Sequence, residues 1–253
     1  MAGGEAKKKS DLGVRAASAV VMVAIAGTAL WLGGWAFLAF ALVLGLAVAW
    51  EWWRLVQAFE PRFLARLLWL LAGLIYVGSA CWLIAILGSV RDETGGWARL
   101  LLFGILGGVI FTDIGAYFAG RTFGGPKIAP AISPSKTWSG LVGGMVGATL
   151  ALFGLFKLAL ALSGTHTADG ATILAEPIEL VGNSLKIAVL VGPPLAIVAQ
   201  AGDFLESWMK RRAGVKDSGK LIPGHGGLFD RLDGLLAVSF VSVLVMLLFV
   251  ANL

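Results

Sequence analysis

The chain has 253 residues, of which 58% are hydrophobic and only 14% are charged, and its formal net charge is +5. Together with a mean hydropathy of +0.87, this composition exceeds what a soluble globular domain carries and indicates an integral membrane protein. The single cysteine, Cys81, has no second cysteine to pair with, which excludes an intrachain disulfide.

The N-terminus is basic, with Lys7–Lys9 and Arg15 ahead of an apolar run that lacks a small-residue cleavage pattern. We therefore predict an uncleaved first membrane helix. Seven apolar runs are long enough to cross about 30 Å of hydrocarbon. They lie near residues 16–33, 35–52, 67–88, 99–119, 138–161, 183–201 and 235–252.

These runs predict an all-α, polytopic helical membrane protein with seven transmembrane helices. The third run can be one tilted helix or a re-entrant pair, so eight or nine crossings stay open. Residues 1–15 are expected to form a basic cytoplasmic N-terminus, and residues 16–253 a single integral membrane domain. The glycines Gly143, Gly144 and Gly147 predict close packing of helix backbones.

The distribution of Lys and Arg supports this topology, because these residues accumulate in cytoplasmic loops. With seven crossings and the N-terminus inside, most Lys and Arg fall on the cytoplasmic side, whereas the opposite loop at residues 163–182 contains neither. Two polar insertions, residues 120–137 and 202–234, then face the cytoplasm. The topology accounts for the positive net charge without a nucleic-acid partner.

Acidic residues cluster at the boundary between the second insertion and its flanking apolar runs. Asp203 lies where the sixth run meets the headgroups, while Asp230 and Asp233 precede the last run at a spacing that places them on one helix face. One such carboxylate can cap a helix N-terminus. Three acids at one membrane boundary favour a divalent cation site, because Mg²⁺ prefers carboxylate and phosphate oxygens. His225 can be a metal ligand, a phosphate donor or a hydrogen-bonded turn residue.

A second group of polar residues lies in the first insertion and in the apolar run before it. Asp113 falls within an apolar run, where an unpaired carboxylate is costly, so we expect it to face the protein interior and meet a cation. Residues 133–137 can form a Pro-bearing turn and helix cap. Lys136 beside hydroxyl groups also makes an anion site plausible.

Two sets of fixed polar and glycine positions carry a family likeness. The first set is Ser207, Met209, Lys210, Arg211, Lys216, Asp217, Gly219, Ile222, Pro223, His225, Gly226, Gly227, Asp230, Arg231 and Asp233. The second set is residues 113–117, Gly120, Arg121, Gly124, Lys127 and residues 133–137. Both resemble the phosphatidate cytidylyltransferase (CDP-diacylglycerol synthase) family, and residues 203–234 contain its signature. Ser139 departs from many relatives, which have an acidic residue there.

The resemblance implies that phosphatidic acid attacks the α-phosphate of CTP and releases pyrophosphate, leaving CDP-diacylglycerol in the membrane. It implies a site for Mg²⁺ with one or two metal ions, one of which can be monovalent, in a homodimer of the bacterial inner membrane whose active site is cytoplasmic. The implied metal ligands are Asp203, Asp230 and Asp233. The implied catalytic residues are Asp203, Lys216, Asp217, Asp230 and Asp233. The implied substrate contacts are Lys136, Ser207, Lys210, Arg211, His225, Arg231, Arg121 and Asp113.

Two other classes of protein can use a charged pocket at a membrane surface. A kinase or nucleotidyltransferase that acts on a lipid alcohol needs similar groups but must activate a neutral hydroxyl. A transporter can place Asp113 and the later aspartates along a translocation path. Transporters often contain repeated halves, and the sequence shows no such repeat.

Overall fold

The computed structural model describes residues 2–90, 96–163, 183–224 and 226–252. In this part of the chain, seven long helices and one pair of short strands follow one another. The helices are α1 (Ala2–Leu32), α2 (Gly34–Phe59), α3 (Phe63–Ser89), α4 (Trp97–Phe123), α5 (Trp138–Ser163), α6 (Ser184–Arg212) and α7 (Phe229–Val250). All seven are long and apolar enough to cross a membrane, which confirms the all-α polytopic prediction. The third apolar run forms the single helix α3 rather than a re-entrant pair.

The first polar insertion contains a hairpin that the sequence pattern did not predict. Strand β1 (Lys127–Ala129) pairs antiparallel with β2 (Ser133–Thr137), and α5 begins directly after β2. Thr137 Oγ1 accepts a hydrogen bond of 3.1 Å from the backbone N–H of Gly140. The predicted helix cap is therefore present, and the hairpin in front of it holds Lys136 in a strand.

Helices α6 and α7 both extend beyond their apolar runs into the second polar insertion. Helix α6 continues to Arg212 and ends in a Schellman motif. In this motif Gly214 has a φ of 68°, its N–H donates to Arg211 O at 3.2 Å, and the Val215 N–H donates to Lys210 O at 3.0 Å. Asp203 and Lys210 thus lie on a regular helix, where residues three and four apart share a face.

The chain forms two compact units. One consists of Met1–Glu93 and Gly202–Leu253, and the other of Thr94–Ala201. In the second unit α4 packs on α5. A Cβ atom placed on Gly147 would meet the backbone oxygen of Phe111, and one on Gly143 would meet Ala119. The predicted close approach at these glycines is therefore present.

The core of the first unit contains α2, α3 and α7, with α2 and α7 both packed against α3. The Trp52 ring lies 5.8 Å from the ring of Tyr76 and 5.7 Å from that of Phe229, measured between centroids. Trp52 Nε1 also donates a 3.0 Å hydrogen bond to the backbone oxygen of Trp69. These aromatic contacts fix α2 beside the start of α7, where the candidate site lies.

Candidate active site

Three carboxylates from α6 and α7 converge in the first unit. Asp203 and Glu206 are three residues apart on α6 and so share a helix face. Asp233 on α7 completes the group, in which one oxygen atom of each residue lies within 4.8 Å of the others. Ser207 Oγ donates to Asp203 Oδ1 at 3.3 Å. Each helix alone supplies an incomplete set, so the group depends on how α6 and α7 pack.

A glycine makes this packing possible. The backbone oxygen of Asp233 lies against Gly202, where an added Cβ would collide with it and would lie 2.7 Å from Ala237 Cβ. Small residues allow such close approach of helices in lipid. Gly202 therefore brings the Asp233 side of α7 against the Asp203 side of α6.

The acidic group has the composition of a divalent cation site. Its ligand atoms are all oxygens, which suits Mg²⁺. Glu206 is buried, with 1% of its side chain exposed, and its Oε2 lies 2.5 Å from Lys210 Nζ. Within the described part of the chain, Glu206 Oε1 is buried without a hydrogen-bond partner. An unsatisfied buried carboxylate oxygen is costly, so this atom is well placed to bind a cation.

Asp230 joins α7 to α6 and to the loop between them. Its Oδ1 lies 2.6 Å from Lys210 Nζ. Its Oδ2 accepts hydrogen bonds from the Ser218 N–H at 2.9 Å, the Ser218 hydroxyl at 3.0 Å and the Gly227 N–H at 2.8 Å. Lys210 therefore contacts Glu206 and Asp230 together, and Asp230 closes the glycine-rich loop onto α7.

The geometry differs from the expected ligand set in one member. Asp203 and Asp233 lie together as their positions predict, but the third carboxylate of the group is Glu206. Asp230 instead faces Lys210 and the loop. The spacing of Asp230 and Asp233 alone did not show which of the two lies beside Asp203.

A second buried carboxylate lies beneath the same loop. Glu51 on α2 has 1% of its side chain exposed. Its Oε2 accepts from the Ser218 hydroxyl at 2.9 Å and from the Phe229 N–H at 2.8 Å, and its Oε1 accepts from the Leu228 N–H at 3.1 Å. Glu51 thus satisfies backbone donors at the start of α7, which have no partner within the helix.

The remaining candidate residues of the first unit lie at its surface. Lys216, Asp217, Arg211 and Arg231 are all exposed. A Cβ atom on Gly226 would lie 3.3 Å from Asp217 Cβ, so the Asp217 side chain lies against the glycine turn. His225 lies outside the described residues.

The second unit contains the other predicted contacts. Arg121 is exposed at the end of α4 and donates to Tyr117 Oη at 2.7 Å. Lys136 is half-buried on β2. Asp113, expected in the protein interior, is exposed on α4. Ser139, in place of an acidic residue, donates to the Gly124 backbone oxygen, so its hydroxyl fills a structural role at the base of the hairpin.

Comparison with known proteins shows which family this arrangement belongs to. The sequence profile of the cytidylyltransferase family matches residues 64–249. The chain belongs to the cytidylyltransferase family. It is 34% identical over 273 residues to the phosphatidate cytidylyltransferase of Brucella suis biovar 1, covering 91% of each chain. It is also 34% identical over 245 residues to that of Rickettsia felis, covering 94% of this chain and 96% of the relative.

A more local match is also found. The phosphatidate cytidylyltransferase of Haemophilus influenzae is 40% identical over 132 residues, which cover 51% of this chain and 40% of the relative. The stretch that matches the cytidylyltransferase family profile includes all of the candidate residues predicted from the sequence. Glu51 lies outside it.

Two residues of this candidate site, Glu206 and Glu51, were not predicted from the sequence. Glu206 stands three residues after Asp203, the helical spacing that also relates Asp230 to Asp233. Glu51 is an isolated acid in the second apolar run, a position as costly as that of Asp113. The spacing argument applied to Asp230 and Asp233 therefore also indicates Glu206, and the burial argument applied to Asp113 also indicates Glu51.

Proposed function

We propose that this protein transfers a cytidylyl group from CTP to phosphatidic acid, giving CDP-diacylglycerol and pyrophosphate. The observation that carries the proposal is the group formed by Asp203, Glu206 and Asp233, with the Lys210–Asp230 ion pair beside it. We infer the two substrates from the names of the relatives, which are phosphatidate cytidylyltransferases. Seven apolar helices place the chain in the membrane, where a diacylated substrate resides.

In the proposed reaction a phosphate oxygen of phosphatidic acid forms a bond to the α-phosphorus of CTP. The bond from that phosphorus to the oxygen bridging to the β-phosphate breaks, and pyrophosphate leaves with that electron pair. The attacking phosphate is already anionic near neutral pH, so it needs little help from a general base. The main barrier is the approach of two anions, which positioned cations lower by neutralising charge and fixing geometry.

Asp203, Glu206 and Asp233 are the residues that would hold Mg²⁺. The fit rests on their oxygen-only composition and on the buried, unpartnered Glu206 Oε1. Mg²⁺ when bound would neutralise phosphate charge and orient the reacting groups. The proposal allows one or two metal ions at this group, one of which can be monovalent.

Basic side chains would complete the neutralisation. We assign phosphate contacts to Arg211, Lys216 and Arg231, which are exposed on the unit that holds the acidic group. Lys136 and Arg121 are assigned to the anionic substrates as well. Substrate binding is also assigned to Ser207, Asp217 and His225 of the first unit and to Asp113 of the second.

The same proposal places the protein in the bacterial inner membrane, as a homodimer with a cytoplasmic active site. The relatives are bacterial, and the excess of Lys and Arg on one side of the predicted topology supports a cytoplasmic site. The basic segment at residues 210–231 would then face the compartment that supplies CTP.

The test is a transfer assay with purified protein in detergent. Radiolabelled CTP is supplied with phosphatidate and Mg²⁺, and in a parallel reaction with a polyprenol in place of phosphatidate. We expect a labelled lipid product and pyrophosphate only with phosphatidate. Product formation only with the alcohol would contradict the proposal, and solute flux into vesicles without nucleotide turnover would favour a transporter.

A matched pair of carboxylate variants assigns the activity to the site. Asp203→Asn removes a charge from the acidic group and should abolish most of the transfer activity. Glu60→Gln removes a charge at the end of α2, where Oε1 accepts a hydrogen bond from the Arg62 N–H. It should retain wild-type activity. Equal activity in the two variants would remove Asp203 from the site.

A further inference from the structure

Glu51 is an acidic residue with a specific place in the fold. It lies on α2 between apolar turns, and only 1% of its side chain is exposed. A carboxylate taken out of water in this way is costly unless several hydrogen bonds compensate it. Glu51 therefore has to be explained by the groups that it contacts.

Those groups belong to the start of α7 and to the loop before it. Glu51 accepts from the backbone N–H groups of Leu228 and Phe229 and from the Ser218 hydroxyl. Two glycines make the space for its carboxylate. A Cβ atom on Gly219 would collide with Glu51 Oε1, and one on Gly227 would lie 2.6 Å from Oε2. The glycines of the loop thus fit around this acid.

Ser218 connects Glu51 to the acidic group. Its single hydroxyl proton is shared between Glu51 Oε2 at 2.9 Å and Asp230 Oδ2 at 3.0 Å, and its backbone N–H donates to Asp230 Oδ2 at 2.9 Å. Asp230 in turn pairs with Lys210, which pairs with Glu206. A continuous set of hydrogen bonds and ion pairs therefore runs from Glu51 to Glu206, a member of the acidic group proposed to bind the cation.

We propose that Glu51 is a positioning residue for the transfer reaction. It fixes the first turn of α7 and the Ser218 hydroxyl, and through them the positions of Asp230, Lys210 and Glu206. The inference rests on the proposed function, and it adds a residue of α2 that lies outside the stretch matched by the family profile. Groups that orient metal ligands in this way typically change metal affinity or activity by about 10- to 100-fold when they are removed.

The chemistry of the contacts requires a carboxylate rather than a carboxamide. Glu51 uses both oxygens as acceptors and faces three donors. A glutamine offers one acceptor oxygen and an NH₂ group that only donates. In Glu51→Gln, at least one N–H of Leu228 or Phe229 then faces another donor. The start of α7 should loosen although the size of the side chain is almost unchanged.

The first test compares Glu51→Gln with Phe37→Leu. Phe37 is buried at the other end of α2, beside Gly88, and does not belong to the site. Its substitution weakens the packing of α2 without changing the loop. We expect Glu51→Gln to speed amide hydrogen exchange at Leu228 and Phe229 and to weaken Mn²⁺ binding, measured by EPR without substrates, by about 10-fold or more. Phe37→Leu should lower the melting temperature while Mn²⁺ affinity stays at the wild-type value.

The second test is a double-mutant cycle with Ser218→Ala, and the Ser218→Ala variant alone replaces it if Glu51→Gln does not fold. Because both residues act through the same hydroxyl, the double variant should bind Mn²⁺ no more weakly than the weaker single variant, whereas independent effects would add. Wild-type Mn²⁺ affinity in Glu51→Gln would overturn the positioning role, and so would wild-type affinity in Ser218→Ala if Glu51→Gln does not fold.

The two proposals fail in different ways. Mn²⁺ binding by the wild-type protein without any formation of CDP-diacylglycerol contradicts the proposed function alone. Transfer activity together with unaltered Mn²⁺ affinity in Glu51→Gln contradicts only the role of Glu51. Full transfer activity without any divalent cation contradicts both the cation site and the role of Glu51 toward it.

Discussion

Lys210 Nζ lies 2.6 Å from Asp230 Oδ1 and so joins the last turns of α6 to the first turn of α7. The same ammonium group lies 2.5 Å from Glu206 Oε2. One ammonium group therefore contacts two carboxylates that are largely withdrawn from solvent, with 1% of the Glu206 side chain and 9% of the Asp230 side chain exposed. The acidic residues of the site can lie close together because this lysine is among them.

Replacing this lysine should leave the two carboxylates in mutual repulsion. We expect Lys210→Met to cost on the order of 2 kcal/mol of stability, since one partner of a mostly buried ion pair is lost. Added Mg²⁺ should raise the melting temperature of the variant more than that of the wild type, because the cation restores neutrality. The control Lys220→Met removes an exposed lysine from the loop between α6 and α7. A similar Mg²⁺ response in all three proteins would contradict the assigned role of Lys210.

Asp233 and Asp230 should respond differently to the same substitution. Asp233→Asn removes a proposed cation ligand and should raise the Mg²⁺ concentration for half-maximal activity by about 10-fold or more. Asp230→Asn breaks the Lys210 pair and weakens the loop contacts, so its main effect should be a lower melting temperature. Activity is titrated with Mg²⁺, and unfolding is followed by tryptophan fluorescence. A larger rise in the Mg²⁺ requirement for Asp230→Asn than for Asp233→Asn would indicate that Asp230 is a cation ligand.

The basic hairpin offers a pair of lysines that differ in burial. Lys136 is half-buried on β2, whereas Lys127 on β1 is exposed and reaches toward the Ser135 backbone oxygen at 3.5 Å. If Lys136 contacts an anionic substrate, Lys136→Met should raise KM for CTP or phosphatidate several-fold with little change in kcat, as expected for loss of binding common to substrate and transition state. Lys127→Met should change neither constant. Equal kinetics for both variants would remove Lys136 from the site.

The helices of this fold follow from the sequence because a run of apolar residues long enough to cross the bilayer has few alternatives to a helix. Helix ends were harder to place. Helix α7 begins at Phe229 although its apolar run begins near residue 235, since polar residues also continue a helix where its first N–H groups are bound by Glu51. A tertiary contact from a distant helix thus decides where α7 starts.

The site was predicted in part. The positions of Asp203 and Asp233 sufficed to bring them together, because each lies at the end of a membrane run that meets the same surface. Whether Glu206 or Asp230 lies with Asp203 and Asp233 depends on the rotation of α7 against α6. A local sequence pattern does not determine this rotation. The hairpin was not predicted, because its strands have three and five residues and are too short to show the alternation of apolar and polar residues that indicates a strand.

The close contact of α6 with α7 at Gly202 allows the sharpest test of this geometry. In Gly202→Ala the new methyl group would meet the Asp233 backbone oxygen and lie 2.7 Å from Ala237 Cβ, so the helices must separate. Because the acidic group draws one ligand from α7, we expect loss of most transfer activity and of Mn²⁺ binding, with the helical content retained by circular dichroism. Gly78→Ala is the matched control, since that helical glycine of α3 has open space around it. Wild-type Mn²⁺ affinity in Gly202→Ala would mean that the cation site does not depend on the contact between α6 and α7.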